Sequence, residues 1–263
     1  MSLPGTLFVP ADSWLHTLDP RVKLAFAILA TLALLSVYHL GVFVGCLALC
    51  HLMLLTAHVP PGRLAWAWRA MAPLTLMILL LWPFFTPVPG AAAYHLGPLA
   101  LSWQSVLQGV AAALRINALA FAFLVWLFTT DQDAIVLGFR GMGLPYTWGM
   151  ALALTLRYIP TMYTTLERVL DAQRARGLVT TQRNPLRAAR AYLPALVPVL
   201  ILALRSADTL ARALEARAWG APQCRRTTRR RLHFRPRDAL ALTATVLLFG
   251  GIIATRLLWG WGT

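Results

Sequence analysis

The 263-residue chain is 59% hydrophobic and only 13% charged, with a mean hydropathy of +0.64. Soluble domains carry roughly a quarter charged residues, so this composition excludes an ordinary soluble domain and implies several bilayer spans. The net charge of +15 does not indicate nucleic acid: sixteen of the 24 basic residues, all arginine, lie between Arg168 and Arg237, a clustering that suits a cytoplasmic membrane flank.

The first twenty residues form a polar arm without the apolar core of a cleavable signal, so the first span is expected to be retained. Residues 22–57 are apolar almost throughout, broken only around Tyr38, His39, Leu40 and Gly41. That length predicts two spans joined by a tight turn, helical because lipid offers the backbone no other partner. Arg21 and Lys23 precede the pair and Arg63 and Arg69 follow it, placing both flanks in the cytoplasm and the turn outside. Within the second span Cys46 and Cys50 share a helical face, but only His51 is adjacent. They are expected to face lipid or a neighbouring helix rather than a metal, and with Cys224 they make no disulfide framework.

A third span is predicted over about 71–86, ending at the stretch Thr86-Pro87-Val88-Pro89-Gly90. Residues 88–104 hold no Lys, Arg, Asp or Glu, which predicts an external loop. A fourth span over about 105–128 returns to the cytoplasm at Thr129-Thr130-Asp131. Arg115 and Asn117 fall near its middle. A charge there costs about 3 kcal/mol, so Arg115 must face protein or water. It serves either a substrate or proton pathway, or a structural role as a buried pair or a snorkelling side chain that orients the helix.

Beyond residue 131 the pattern changes. Gly138, Gly141 and Gly143 before Leu144-Pro145 predict a helix stop and turn. Leu152, Leu156, Ile159, Tyr163, Leu166 and Leu170 then form one apolar stripe, predicting an amphipathic helix with a buried face. A second amphipathic helix follows the polar turn at Asn184-Pro185 and carries Leu193, Leu196, Leu200, Leu204 and Leu214. Its Leu193–Leu204 stretch, too short to span and interrupted by Pro194 and Pro198, is expected to skim the inner membrane surface or to pack under the other helices. Seven arginines within residues 225–237 suit anionic headgroups, and a last span covers about 238–258.

One local pattern occurs twice. Residues 171–177 read Asp-Ala-Gln-Arg-Ala-Arg-Gly and residues 214–220 read Leu-Glu-Ala-Arg-Ala-Trp-Gly. Each puts an Ala-Arg pair at the end of a long helix with glycine at or just past it. Either end alone is accounted for by a glycine cap and by arginine favouring the negative helix terminus. Two helices finishing alike 41 residues apart suit a partner present in two copies, with arginine gripping an acidic group.

With these ends in place, the chain resembles the transmembrane T component of energy-coupling-factor (ECF) transporters, the EcfT/CbiQ type. The resemblance runs through Leu18-Asp19-Pro20-Arg21-Val22-Lys23-Leu24, Ala113-Leu114-Arg115 before Thr129-Thr130, Gly143-Leu144-Pro145, and Leu156-Arg157-Tyr158-Ile159-Pro160-Thr161. It implies an importer subunit whose ends Ala175-Arg176-Gly177 and Ala216-Arg217-Ala218 contact two ABC-type ATPases, supported by Asp171, Glu215, Arg157 and Pro160. A separate S component in the membrane would capture a vitamin or transition-metal ion. The second end departs from the family's usual Ala-Arg-Gly, leaving Gly220 to supply the turn.

The chain lacks a phosphate-cradling Gly-x4-Gly-Lys-Ser/Thr loop, so it is expected to be no enzyme and to hold no cofactor of its own, with ATP and Mg bound by partners. A channel or secondary transporter, or an intramembrane enzyme, is the alternative. Such an enzyme needs clustered catalytic groups, and only Asp131 and Asp133 lie close together among the nine acids. The expected architecture is all-α and polytopic: a membrane domain of four spans over 1–130, cytoplasmic coupling helices over 131–237, and a C-terminal span over 238–263. It would sit in the bacterial inner membrane with a cytoplasmic N-terminus.

Overall fold

Proline and capping side chains set where the long helices begin in the computed structural model, which describes residues 8–11, 13–85, 93–96, 99–178, 192–220 and 234–259. After the single turn α1 (Trp14–Thr17), α2 (Pro20–Ser36) opens with Pro20 at its first position, where no N–H is needed. Helix α3 (Leu40–Thr56) follows. Helix α4 (Pro61–Phe85) starts ten residues before the expected span, so Arg63 and Arg69 lie in its first turns rather than in a preceding loop. Strands β1 (Ala93–Leu96) and β2 (Leu99–Ser102) pair antiparallel, Ala93 opposite Ser102, within the stretch expected to be a plain loop. The chain continues through α5 (Trp103–Thr129), α6 (Gln132–Gly141), α7 (Tyr146–Ala175), α8 (Leu193–Glu215) and α9 (Pro236–Trp259). The turns expected at Thr86–Gly90 and Asn184-Pro185, together with Cys224 and the arginines from Arg225 to Arg231, lie outside the described residues.

The protein is all-α and polytopic. By length and composition α4, α5, α8 and α9 can each cross a membrane, while α2 and α3, at 17 residues, sit at the short end of the spanning range. The apolar Leu193–Leu204 stretch forms the first half of α8, which is longer than that stretch and is not interrupted at Pro194 or Pro198. Its prolines fall in the first two turns, so it runs unbroken for 23 residues.

The helices fall into two compact units, residues 1–146 with 232–263, and residues 147–231. In the first, α5 lies at the centre against α2, α3 and α4, while α6 and α9 pack on α2. Small residues permit the close approach: Ala27, Ala30 and Ala33 on α2 and Ala118 and Ala122 on α5 are fully buried. Phe26 meets Phe249 of α9 edge to face at 5.5 Å. Cys46 and Cys50 are buried against neighbouring helices rather than turned to lipid. The expected stop and turn are present, with α6 ending at Gly141 and closing through Met142-Gly143. Gly138 within α6 and Gly141 at its last position lie where a Cβ would crowd Pro20 and Arg21, and Gly143 takes the left-handed turn at φ +108°.

The polar groups of this unit meet its helix ends. The Asp19 carboxylate accepts the Arg21 N–H and caps α2. The Asp19 N–H donates to Asp238 Oδ1 at 2.8 Å, and Asp238 Oδ2 accepts the Arg235 N–H at 2.8 Å, closing the start of α9. At the opposite end of α5, the Phe128 carbonyl accepts the Val9 N–H and the Thr129 carbonyl accepts Lys23 Nζ at 2.8 Å. His16 Nε2 donates to the Val9 carbonyl and holds the arm in place.

Arg115 reaches the end of α2. Its guanidinium donates to the Leu35 carbonyl at 2.8 Å in the last turn of α2 and lies 5.9 Å from the Tyr38 ring centroid. Asn117, buried, bridges from α5 to Thr75 of α4.

Replacing Asp238 by alanine leaves two backbone N–H groups without their acceptor, and is expected to cost about 3 kcal/mol. Thermal unfolding in detergent checks this. The midpoint falls clearly below wild type, and Asp238→Asn, which keeps an acceptor oxygen, falls less.

Candidate functional site

Two helix ends in the second unit close with the same hydrogen bonds. At the end of α7 the Leu178 N–H donates to the Gln173 carbonyl at 3.0 Å and the Gly177 N–H to the Arg174 carbonyl at 2.9 Å. At the end of α8 the Trp219 N–H donates to Leu214 at 2.9 Å and the Ala218 N–H to Glu215 at 2.8 Å. Both are Schellman closures, in which the residue after the cap must be left-handed. Gly177 fills that position at φ +92° and Ala218 at φ +56°.

The two ends therefore superpose residue for residue with a constant offset of 41: Gln173 on Leu214, Ala175 on Ala216, Arg176 on Arg217, Gly177 on Ala218. Exposure matches as well. Residues 174–177 and 215–218 are exposed, and the residues before and after each run are half-buried. The turn expected from Gly220 is made by Ala218 itself, with Gly220 left-handed two residues on. A second left-handed position close behind an alanine was the signal that sequence reading gave to glycine alone.

The closures use backbone N–H groups to satisfy the helix carbonyls, so the arginine side chains are not needed for it. Among the described residues, neither the Arg176 nor the Arg217 side chain has a hydrogen bond or ion pair, whereas Arg174 pairs with Asp171 at 3.0 Å. That pair is solvent-exposed and contributes little stability. It holds Arg174 back along its own helix, leaving Arg176 as the outward cation.

Of the supporting residues, Glu215 contributes its carbonyl to the second closure. Arg157 is exposed on α7 well before the end, and Pro160 lies within α7, where it removes one helix hydrogen bond. The structure does not bring Arg157 or Pro160 to either end. The apolar stripe of α7 is not buried as expected: Ile159 and Tyr163 are each 55% exposed. On α8, Leu196, Leu200 and Leu204 are likewise exposed. The Glu167 carboxylate one turn on raises the Tyr163 phenol above its ordinary pKa.

A left-handed alanine costs about 1 kcal/mol relative to glycine. Nothing lies within 4 Å of a Cβ built on Gly177, so the two positions should respond as mirror images. Ala218→Gly is expected to slow amide exchange at residues 216–219, and Gly177→Ala to speed it at 175–178, each by roughly fivefold.

A family pattern described as cobalt transport protein (CbiQ) matches residues 11–228. The chain is 30% identical to the energy-coupling factor transporter transmembrane protein EcfT of Thermosediminibacter oceani, over 96% of this chain and 97% of that one. It is 30% identical to the protein of the same name from Acidaminococcus fermentans, over 96% of each, and from Listeria innocua, over 92% and 94%. Near-complete coverage at this identity, together with the helical membrane architecture, places the chain in the CbiQ family as a multi-pass bacterial membrane protein and the energy-coupling T component of an ECF transporter.

Proposed function

We propose that the two matched ends are the ATPase contacts of this T component. One ABC-type ATPase takes Ala175-Arg176-Gly177 and a second takes Ala216-Arg217-Ala218. Each arginine enters an acidic groove that its small flanking residues can approach. ATP and Mg stay with those partners, and closure of the ATPases pulls on α7 and α8.

The observation that carries this reading is the Ala-Arg pair placed twice, 41 residues apart, at helix ends with the same closure and the same run of exposed residues. One helix end has a sufficient local explanation. Two identical ends with side chains unengaged among the described residues suit a partner present twice. The uncovered stripes of α7 and α8 suit an S component in the membrane, which would bind the vitamin or transition-metal ion. This orientation puts the N-terminus, the ends and the arginine-rich flank in the cytoplasm, with the protein in the inner membrane. Lipid and these protein subunits are the partners, and nucleic acid is not.

The double variant Arg176→Glu with Arg217→Glu is expected to insert and fold but to lose ATPase co-purification by tenfold or more, as removal of paired charges at an interface does. Each single variant retains one ATPase. ATP-driven uptake at the wild-type rate in the double variant refutes the docking role.

A further inference from the structure

An apolar groove of about 560 Å³ opens along α9 where it meets α1, α2 and α3. Every residue that lines it belongs to the first unit. At one end are Trp14, half exposed, and Arg237. Along its length are Phe26, Met53, Leu240 and Leu248. From Arg237 to Leu248 the helix rises about 16 Å, close to half the roughly 30 Å hydrocarbon core. The groove is thus one leaflet deep.

The two cations at its mouth differ. Lys23 is engaged, its ammonium donating to the Thr129 and His16 carbonyls with the Asp19 and Asp238 carboxylates nearby. Asp238 is turned inward onto two backbone N–H groups. The Arg237 side chain is exposed and makes no hydrogen bond or ion pair among the described residues. What the mouth offers a ligand is therefore one outward guanidinium beside an interfacial tryptophan, above an apolar channel of acyl-chain length.

We propose that this groove holds one anionic phospholipid, its headgroup phosphate on Arg237 and an acyl chain running along α9 to Leu248. The lipid seals α9 against α2 and α3, where the protein's own side chains leave space. This assignment rests on the membrane reading of the first unit and is independent of the ATPase contacts.

Native mass spectrometry of the full chain released from detergent, with phosphatidylglycerol or phosphatidylcholine of identical chains, tests it. Wild type is expected to retain one phosphatidylglycerol about fivefold more than phosphatidylcholine, the factor that one surface cation contributes. Arg237→Gln should equalise the two lipids. Ala244→Trp, which adds a ring at an exposed position lining the groove, should remove the adduct while size-exclusion and helical content stay unchanged. Equal retention of both lipids by wild type, or an undiminished phosphatidylglycerol adduct in Ala244→Trp, overturns the proposal. So does an Ala244→Trp variant that keeps its lipid but fails to assemble with the S component, which would assign the groove to protein.

Discussion

A helix that ends inside or beside a bilayer leaves carbonyl and N–H groups that water cannot reach, and this constraint accounts for where Asp19, Lys23, Arg115 and Asp238 stand in the first unit. Acids stand at helix starts: Asp19 on α2 and Asp238 on α9. Cations stand at helix finishes: Lys23 on the Thr129 carbonyl of α5 and Arg115 on the Leu35 carbonyl of α2. The arrangement follows the helix dipole, and it ties the N-terminal arm, the central helix and the last helix into one structure.

The ends of α7 and α8, like those of α3 and α6, are closed without a charged side chain. Their carbonyls are met by backbone N–H groups in Schellman closures, so Arg176 and Arg217 are spared the task that Lys23 and Arg115 perform. The cost of sparing them at the second end is a left-handed alanine. His58 takes the same left-handed place at the end of α3, so the strain at Ala218 belongs to the closure and the repeated Ala-Arg pair is what the two ends share beyond it.

Much of this was legible in the residues. Apolar runs broken by Gly, Pro and charge gave the helices, because lipid leaves the backbone few alternatives. The Ala-Arg pairs gave the two ends. Boundaries were less legible: Arg63 and Arg69 read as charges on the flank before the third span, yet Pro61 is a favourable first helical residue and the helix takes both arginines into its opening turns. Pro198 read as an interruption but lies early enough in α8 for the helix to continue. The partner of Arg115 was hidden because it is a backbone carbonyl 80 residues away, which no side-chain pattern encodes. The Asp19–Asp238 contact spans 219 residues and was hidden for the same reason. The stripes on α7 and α8 carried the right periodicity but not the information that the chain itself leaves them uncovered.

The central claim is that each arginine end is held by its own ATPase, and photo-crosslinking in the assembled transporter measures this most directly. With a photoreactive residue at 176, at 217, or at both, the account predicts one ATPase adduct for each single position and two ATPases per chain for the pair. Adducts confined to this chain, or an absence of ATPase adducts from both positions in an intact complex, would contradict it.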